Sequence, residues 1–169
     1  MNAQVQAEKS WSDAIGESAA ASIVEMVAAL QCDYDRLTEL RGIAADLGSA
    51  DLSPEEAAQL KEELAELTAA AGDCESEEDA RRRIEEDALS LEVRSEWHSL
   101  SDAEGVQDSE FRILLTTGGP AVRIVGELRD GQPRNPRLEV QDWFKPWTEY
   151  CGINRDVLQA YCEVFYFGE

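Results

Sequence analysis

The chain has 169 residues, of which 43% are apolar and 30% charged, with 36 acids against 15 bases and a formal net charge of −21. The apolar share supports a packed core and excludes a wholly disordered acidic tail. The charge excludes anionic membranes and nucleic acid as direct partners, because their phosphates would repel it.

Residues 1–10 are polar and are expected to be loose. From Ser12 to Leu47 the apolar positions Ile23, Val27, Leu30, Tyr34, Leu37, Leu40, Ala44 and Leu47 recur at steps of three and four. That period predicts one long helix, with Gly48 as its C-cap and "GSADLS" as a turn. "SPEE" then opens a second helix, with Ser53 as N-cap, Pro54 at the first helical position and Glu56 three residues on, a capping box. Leu60, Leu64, Leu67 and Ala71 form its stripe, and Gly72 ends it. The two helices are expected to form an antiparallel hairpin. The first is about 35 residues long and the second about 18, so "AAASIVEMVAAL" has no partner in the hairpin. It is expected to pack on the C-terminal half, or on a second copy in a homodimer.

The stretch "ESEEDARRRIEED", residues 75–87, holds seven acids and three consecutive arginines. Ser76 is placed to cap a third helix, with Asp79 three residues later. At four-residue spacing the sequence reads Glu77–Arg81–Glu85, Glu78–Arg82–Glu86 and Asp79–Arg83–Asp87. Each arginine therefore has an acid one turn before and one turn after, and each such pair is worth about 0.2–0.5 kcal/mol. The arginines are read as internally matched, not as a basic patch.

From Leu89 the period becomes two. "LSLEVRSEW", "EFRILLTT", "AVRIVGELR" and "RLEVQDWF" are predicted strands, joined by "SLSDAEGVQDS", "GGP" and "DGQPRNP". Short connections imply an antiparallel meander. Phe111, Ile113, Leu115, Val122, Ile124, Leu128, Leu138 and Val140 are expected on one face, and Arg112, Arg123, Glu127 and Glu139 on the other. A last helix near 155–165 offers Val157, Leu158, Tyr161 and Phe165 to the apolar face. The expected fold is α+β: an N-terminal helical hairpin plus a short third helix, then a four-stranded antiparallel meander with a C-terminal helix. The helical acidic region covers 1–88 and the sheet region 89–169.

No catalytic signature is found, and the chain is read as a non-enzyme. Cys32, Cys74, Cys151 and Cys162 form no C-x-x-C pair, and His98 is the single histidine, so neither zinc nor any other cofactor is expected. "TTGGPA" is a hairpin turn, since no Gly-Lys-Ser follows it. No run of about 18 apolar residues occurs, and the N-terminus lacks the pattern of a secretory signal. A cytoplasmic location with reduced thiols is therefore expected. In "DWFKPWTEYCG" the rings of Trp143, Phe144, Trp147 and Tyr150 are divided between core and contact surface, which leaves Trp143 and Trp147 as candidate anchors.

The acid is concentrated. Residues 51–90 hold fourteen acids and four bases. On the second helix Glu55, Glu62 and Glu66 lie along one face, with Glu56 and Glu63 beside them, and the third adds Glu75, Glu77, Glu78, Glu85 and Glu86. Residues four apart on a helix are separated by about 6 Å along its axis, comparable with neighbouring phosphates on one DNA strand. Like charges at that spacing oppose the helix, and a partner rich in lysine and arginine would relieve them. These glutamates and the two tryptophans are the candidate partner-binding residues. The competing explanation is a salt-adapted or high-GC host, because the bases are twelve arginines and three lysines. On that view the chain is an acidic interaction or scaffold protein without mimicry.

The C-terminal block "EFRILLTTGGPAVRIVGELRDG…LEVQDWFKPWTEY…YCEVFYFGE" and "SAAASIVEMVAALQCDYDRL" near the start resemble small acidic proteins carried by bacteriophages and plasmids of proteobacteria. The resemblance covers about the last eighty residues and this early segment, and it carries no catalytic residues. It implies an anti-defence protein, of anti-CRISPR or anti-restriction type with a DNA-mimic surface. Such a protein would act in the host cytoplasm on a nucleic-acid-binding defence complex.

Overall fold

A computed structural model describes residues 2–45, 53–97, 99, 108–143 and 145–168, with side chains from residue 12 onward. The elements are α1 (Asn2–Leu30), α2 (Tyr34–Ala45), α3 (Pro54–Ala71), α4 (Glu77–Asp87), β1 (Ser90–Ser95), β2 (Asp108–Thr116), β3 (Ala121–Arg129), β4 (Gln132–Gln141), β5 (Thr148–Glu149) and α5 (Arg155–Cys162). The fold is α+β, with helices first, then one antiparallel sheet in the order β1-β2-β3-β4-β5 and a C-terminal helix. The chain packs as two compact units, Met1–Val24 with Ile84–Glu169, and Glu25–Arg83. The change from helix to strand at residue 89 is a change of element type, and these packing boundaries fall elsewhere.

The helix expected from Ser12 to Leu47 is two helices. Past Leu30 the Cys32 amide donates to the Ala29 carbonyl at 3.2 Å, a tight last turn. Asp33 then caps α2, its Oδ1 accepting from the Arg36 amide at 2.9 Å and its carbonyl from the Leu37 amide at 2.9 Å. The apolar period runs on across this break, which is why periodicity hides it. At the other end α1 includes residues 2–10, where Ala3, Gln4, Gln6, Ala7, Glu8 and Lys9 are strong helix formers rather than loose chain. Ile23, Met26, Val27 and Ala29 of the "AAASIVEMVAAL" stretch are buried within the chain itself, while Val24 is exposed.

The hairpin is made by α2 and α3. Cys32 reaches the Leu67 carbonyl at 3.5 Å and Arg36 reaches Glu63 at 2.8 Å, so the numbering runs in opposite senses and the pair is antiparallel. Beside it Ala29, Cys74 and Ala80 form a small core, with Leu30 and Tyr34 packed against them. Gly48, Leu47 and the start of "GSADLS" lie outside the described residues, as do His98, Phe144 and most of the loop after β1.

All eight side chains assigned to the apolar sheet face are buried. Register joins Ile113 to Ile124 and Ile124 to Leu138 across three strands. The segment "DGQPRNP" is mostly strand, not loop. Asp130 and Gly131, with φ of 53° and 71°, make a two-residue turn, and β4 begins at Gln132. Asn135 has φ of 50° beside a register shift opposite Val125 and Glu127, so Pro136 sits at a bulge where no ladder donor is needed. Against β4 lies α5, capped by Asn154, whose side chain accepts from the Asp156 amide at 2.8 Å. Leu158, Tyr161 and Cys162 are buried, while Val157 and Phe165 are half-buried.

Candidate functional site

The acidic candidates divide by what holds each carboxylate. At the start of α3 the capping box forms as expected. Ser53 accepts from the Glu56 amide, and the Glu56 carboxylate takes the Ser53 amide at 2.9 Å and its hydroxyl at 2.7 Å. These bonds hold the Glu56 carboxyl below the usual carboxylate range. Glu63 is also engaged. Arg36 clamps it through two parallel bonds of 2.8 Å, and the same guanidinium reaches Glu39 at 2.8 Å. The arginine bond lowers the Glu63 pKa. Glu56 and Glu63 are therefore structural, and a partner would have to displace existing bonds to reach them.

Glu55, Glu62 and Glu66 differ. They follow one another at seven and four residues along one stripe of α3, all exposed, and none has an ion pair among the described residues. In the unit Glu25–Arg83 sixteen acids face six bases, and Arg36, Arg81 and Arg82 are already paired within it. The stripe is thus exposed charge without an ion pair among the described residues, on a helix capped at its start.

In α4 the cap is as expected, with the Asp79 amide donating to Ser76 Oγ at 3.1 Å. Asp79 also accepts from the Glu75 amide at 3.3 Å and from Arg82 at 2.5 Å, and the arginine holds its carboxyl below the usual range. Of the six expected four-residue pairs only Glu77–Arg81 forms, at 3.3 Å. Arg82 turns back three residues to Asp79, Arg83 has no ion pair among the described residues, and Asp87 accepts instead from the Tyr161 hydroxyl at 2.6 Å. The reason is local: Asp79 sits where the helix needs a capping acid, and Asp87 ends the helix beside a buried phenol. Glu75, Glu77 and Glu78 belong to the same unit as α3. Glu85, Glu86, Trp143 and Trp147 belong to the other.

Trp143 is 59% exposed, and its ring lies so close to Gly119 that a Cβ there would come within 2.2 Å. Trp147 is half-buried, with the Arg123 guanidinium 4.0 Å above its ring and Arg123 held by Glu139 at 2.7 Å. The two rings are therefore different: one is largely exposed and the other is a platform for an arginine.

That arginine belongs to a feature that sequence reasoning named only as a polar face. Cross-strand pairs Arg112–Glu92, Arg94–Glu110 and Arg123–Glu139 line a concavity of about 780 Å³, which also takes in Arg137 and Arg155. Neither of the last two has an ion pair among the described residues. The signal in the sequence is the alternation Glu92-x-Arg94, Glu110-x-Arg112 and Arg137-x-Glu139, which places opposite charges across antiparallel strands. This face is nearly balanced in charge, unlike α3.

Burial pushes Cys162 up, and burial followed by the neighbouring Asp33 pushes Cys32 up, away from the thiolate in both cases. Among the described residues no single helix is long and apolar enough to cross a membrane. Comparison with protein-family models, with curated proteins and with solved structures finds no match to this chain.

Proposed function

We propose that the protein is a non-enzymatic inhibitor that presents α3 to the nucleic-acid groove of a bacterial defence complex, such as a CRISPR effector or a restriction enzyme. The observation that carries this reading is the exposed stripe of Glu55, Glu62 and Glu66, which has no ion pair among the described residues. A groove built for phosphates supplies arginine and lysine at matching intervals, and pairing releases the counterions held on both surfaces. The unit that carries the stripe holds a net −10 in 59 residues, against −11 in the other 110, so the acid is gathered rather than evenly spread.

The test uses the full chain and a variant with Glu55→Lys, Glu62→Lys and Glu66→Lys. Glu63 is left intact because it anchors Arg36. Both proteins are immobilised, exposed to bacterial lysate, then washed with rising salt and with duplex oligonucleotide. The native chain is expected to retain a nucleic-acid-binding complex that duplex displaces and that salt releases steeply. The variant is expected to retain none. Retention that ignores duplex and salt, or that survives the triple reversal, overturns the proposal and favours an acidic scaffold adapted to a salty host.

A further inference from the structure

β1 is an edge strand. It pairs with β2 on one side, and no described strand lies on the other. Its alternate N–H and C=O groups therefore face outward, a template for another strand. Its side chains are arranged unusually for an edge. Leu91 and Val93 lie on the core face of the sheet, opposite Ile113 and Phe111, yet they are 39% and 41% exposed. Leu89, just before the strand, is 58% exposed, and Trp97, just after it, is fully exposed. On the opposite face Glu92 and Arg94 point outward beside their partners Arg112 and Glu110.

We propose that β1 pairs antiparallel with β1 of a second copy, about a two-fold axis through Val93, so that the two five-stranded sheets become one. The segment Leu89–Trp97 is self-complementary about that residue. Glu92 meets Arg94 of the other copy, twice by symmetry. Leu91 meets Ser95, and Leu89 meets Trp97, which brings together the two most exposed apolar groups at this edge. The charged row across the joint reads Arg112, Glu92, then the second copy's Arg94 and Glu110, alternating in sign. Neighbouring registers lack this property. An axis at Glu92 sets glutamate against glutamate, one at Arg94 sets arginine against arginine, and one at Leu91 sets Glu92 against Ser90. An axis between residues sets apolar side chains against charged ones. The Glu–Arg pair thus repels an arbitrary strand and admits one with the reverse charge order, which this strand read backwards supplies. The odd-numbered apolar side chains of both copies then cover one another on the core face.

Sedimentation of the intact chain from low to high micromolar concentration tests the dimer. A concentration-dependent dimer is expected for the native protein. Val93→Lys sets two ammonium groups face to face at the axis and is expected to weaken dimerisation by about tenfold or more. Because Val93 is already partly exposed, the variant's circular dichroism should match the native spectrum, and Trp97→Ser gives a second weakening substitution that lies outside the strand. Cysteine placement tests the register in a Cys151→Ser background. Val93→Cys lies opposite its own copy and is expected to oxidise readily to a covalent dimer. Leu91→Cys lies four residues from its own copy, about 13 Å at 3.3 Å per residue, too far for a disulfide. A native protein that stays monomeric throughout, a dimer indifferent to both Val93→Lys and Trp97→Ser, or cross-linking through Leu91→Cys as fast as through Val93→Cys overturns the proposal.

Discussion

Two side chains with similar surroundings in the sequence, Glu62 and Glu63, have opposite fates, and Arg36 decides between them. Its guanidinium meets both oxygens of Glu63, and the bond holds that carboxyl below its ordinary value of 4.5. A depressed carboxylate stabilises the fold at pH above its unfolded value, and the contribution disappears as pH falls through the folded value. Glu63→Gln is therefore expected to lower the melting temperature at about pH 7 and to make little difference at about pH 3. Calorimetry at the two pH values checks it, and a gap that persists in acid would assign the effect to packing instead. Tyr161 runs the other way. Burial first, and the Asp87 bond second, push its phenol well above the ordinary value of 10.0, so its contribution is present below about pH 10 and is lost above. Tyr161→Phe removes a hydrogen bond to a charged acceptor and leaves Asp87 half-buried without it, an expected loss of about 1–3 kcal/mol in urea unfolding. Neither partnership was visible beforehand, because each joins residues far apart in the chain, 27 positions for one and 74 for the other.

At the scale of elements, glycine within helices gives an internal comparison. Gly16 lies in α1, where a Cβ would come within 2.3 Å of the Tyr150 ring, while Gly42 lies in α2 with nothing within 4 Å. Gly42→Ala is expected to stabilise by about 0.5–1 kcal/mol through helix propensity alone, and Gly16→Ala to destabilise despite the same propensity gain. Parallel thermal melts decide it. A gain for both would mean that Tyr150 is not seated against α1. The elements that were legible are those whose signals are local: the Ser53 capping box, the two-residue period of β2 and β3, and the apolar spacing of the closing helix. The apolar sheet face was legible residue by residue because alternation fixes which side chain points inward. What failed also has a local cause. The α1–α2 break lies at Asp33, a cap inside an unbroken apolar period. β4 starts early because Asp130-Gly131 closes the turn alone, and a bulge absorbs Pro136. The candidate site was half legible: composition located the acids and the capping box already engaged Glu56, but only three-dimensional pairing separates Glu63, held by Arg36, from Glu55, Glu62 and Glu66, which have no ion pair among the described residues.

For the molecule as a whole, the net charge of −21 must be held together against itself. The sheet unit answers with cross-strand arginine–glutamate pairs, whereas α3 leaves its stripe unanswered. Glu62 and Glu66 are one turn apart, so they repel at close range, whereas Glu55 sits in the first turn of α3, where the helix dipole favours an acid. If this stripe exists for a partner, it opposes the stability of the free protein. Glu62→Gln and Glu66→Gln together are then expected to raise the melting temperature at low ionic strength by about one to two degrees. The gain should shrink as salt rises from about 20 mM to about 0.5 M, because exposed charges are screened within a few ångströms at the upper end. Melting curves of the native and doubly neutralised proteins across that range check both the sign and the salt trend. A neutralisation that lowers the melting temperature at low salt would show that the stripe supports the fold. A stabilised variant that has also lost its partner would place the stripe where binding outweighs stability, since residues selected for the fold alone would not repel one another.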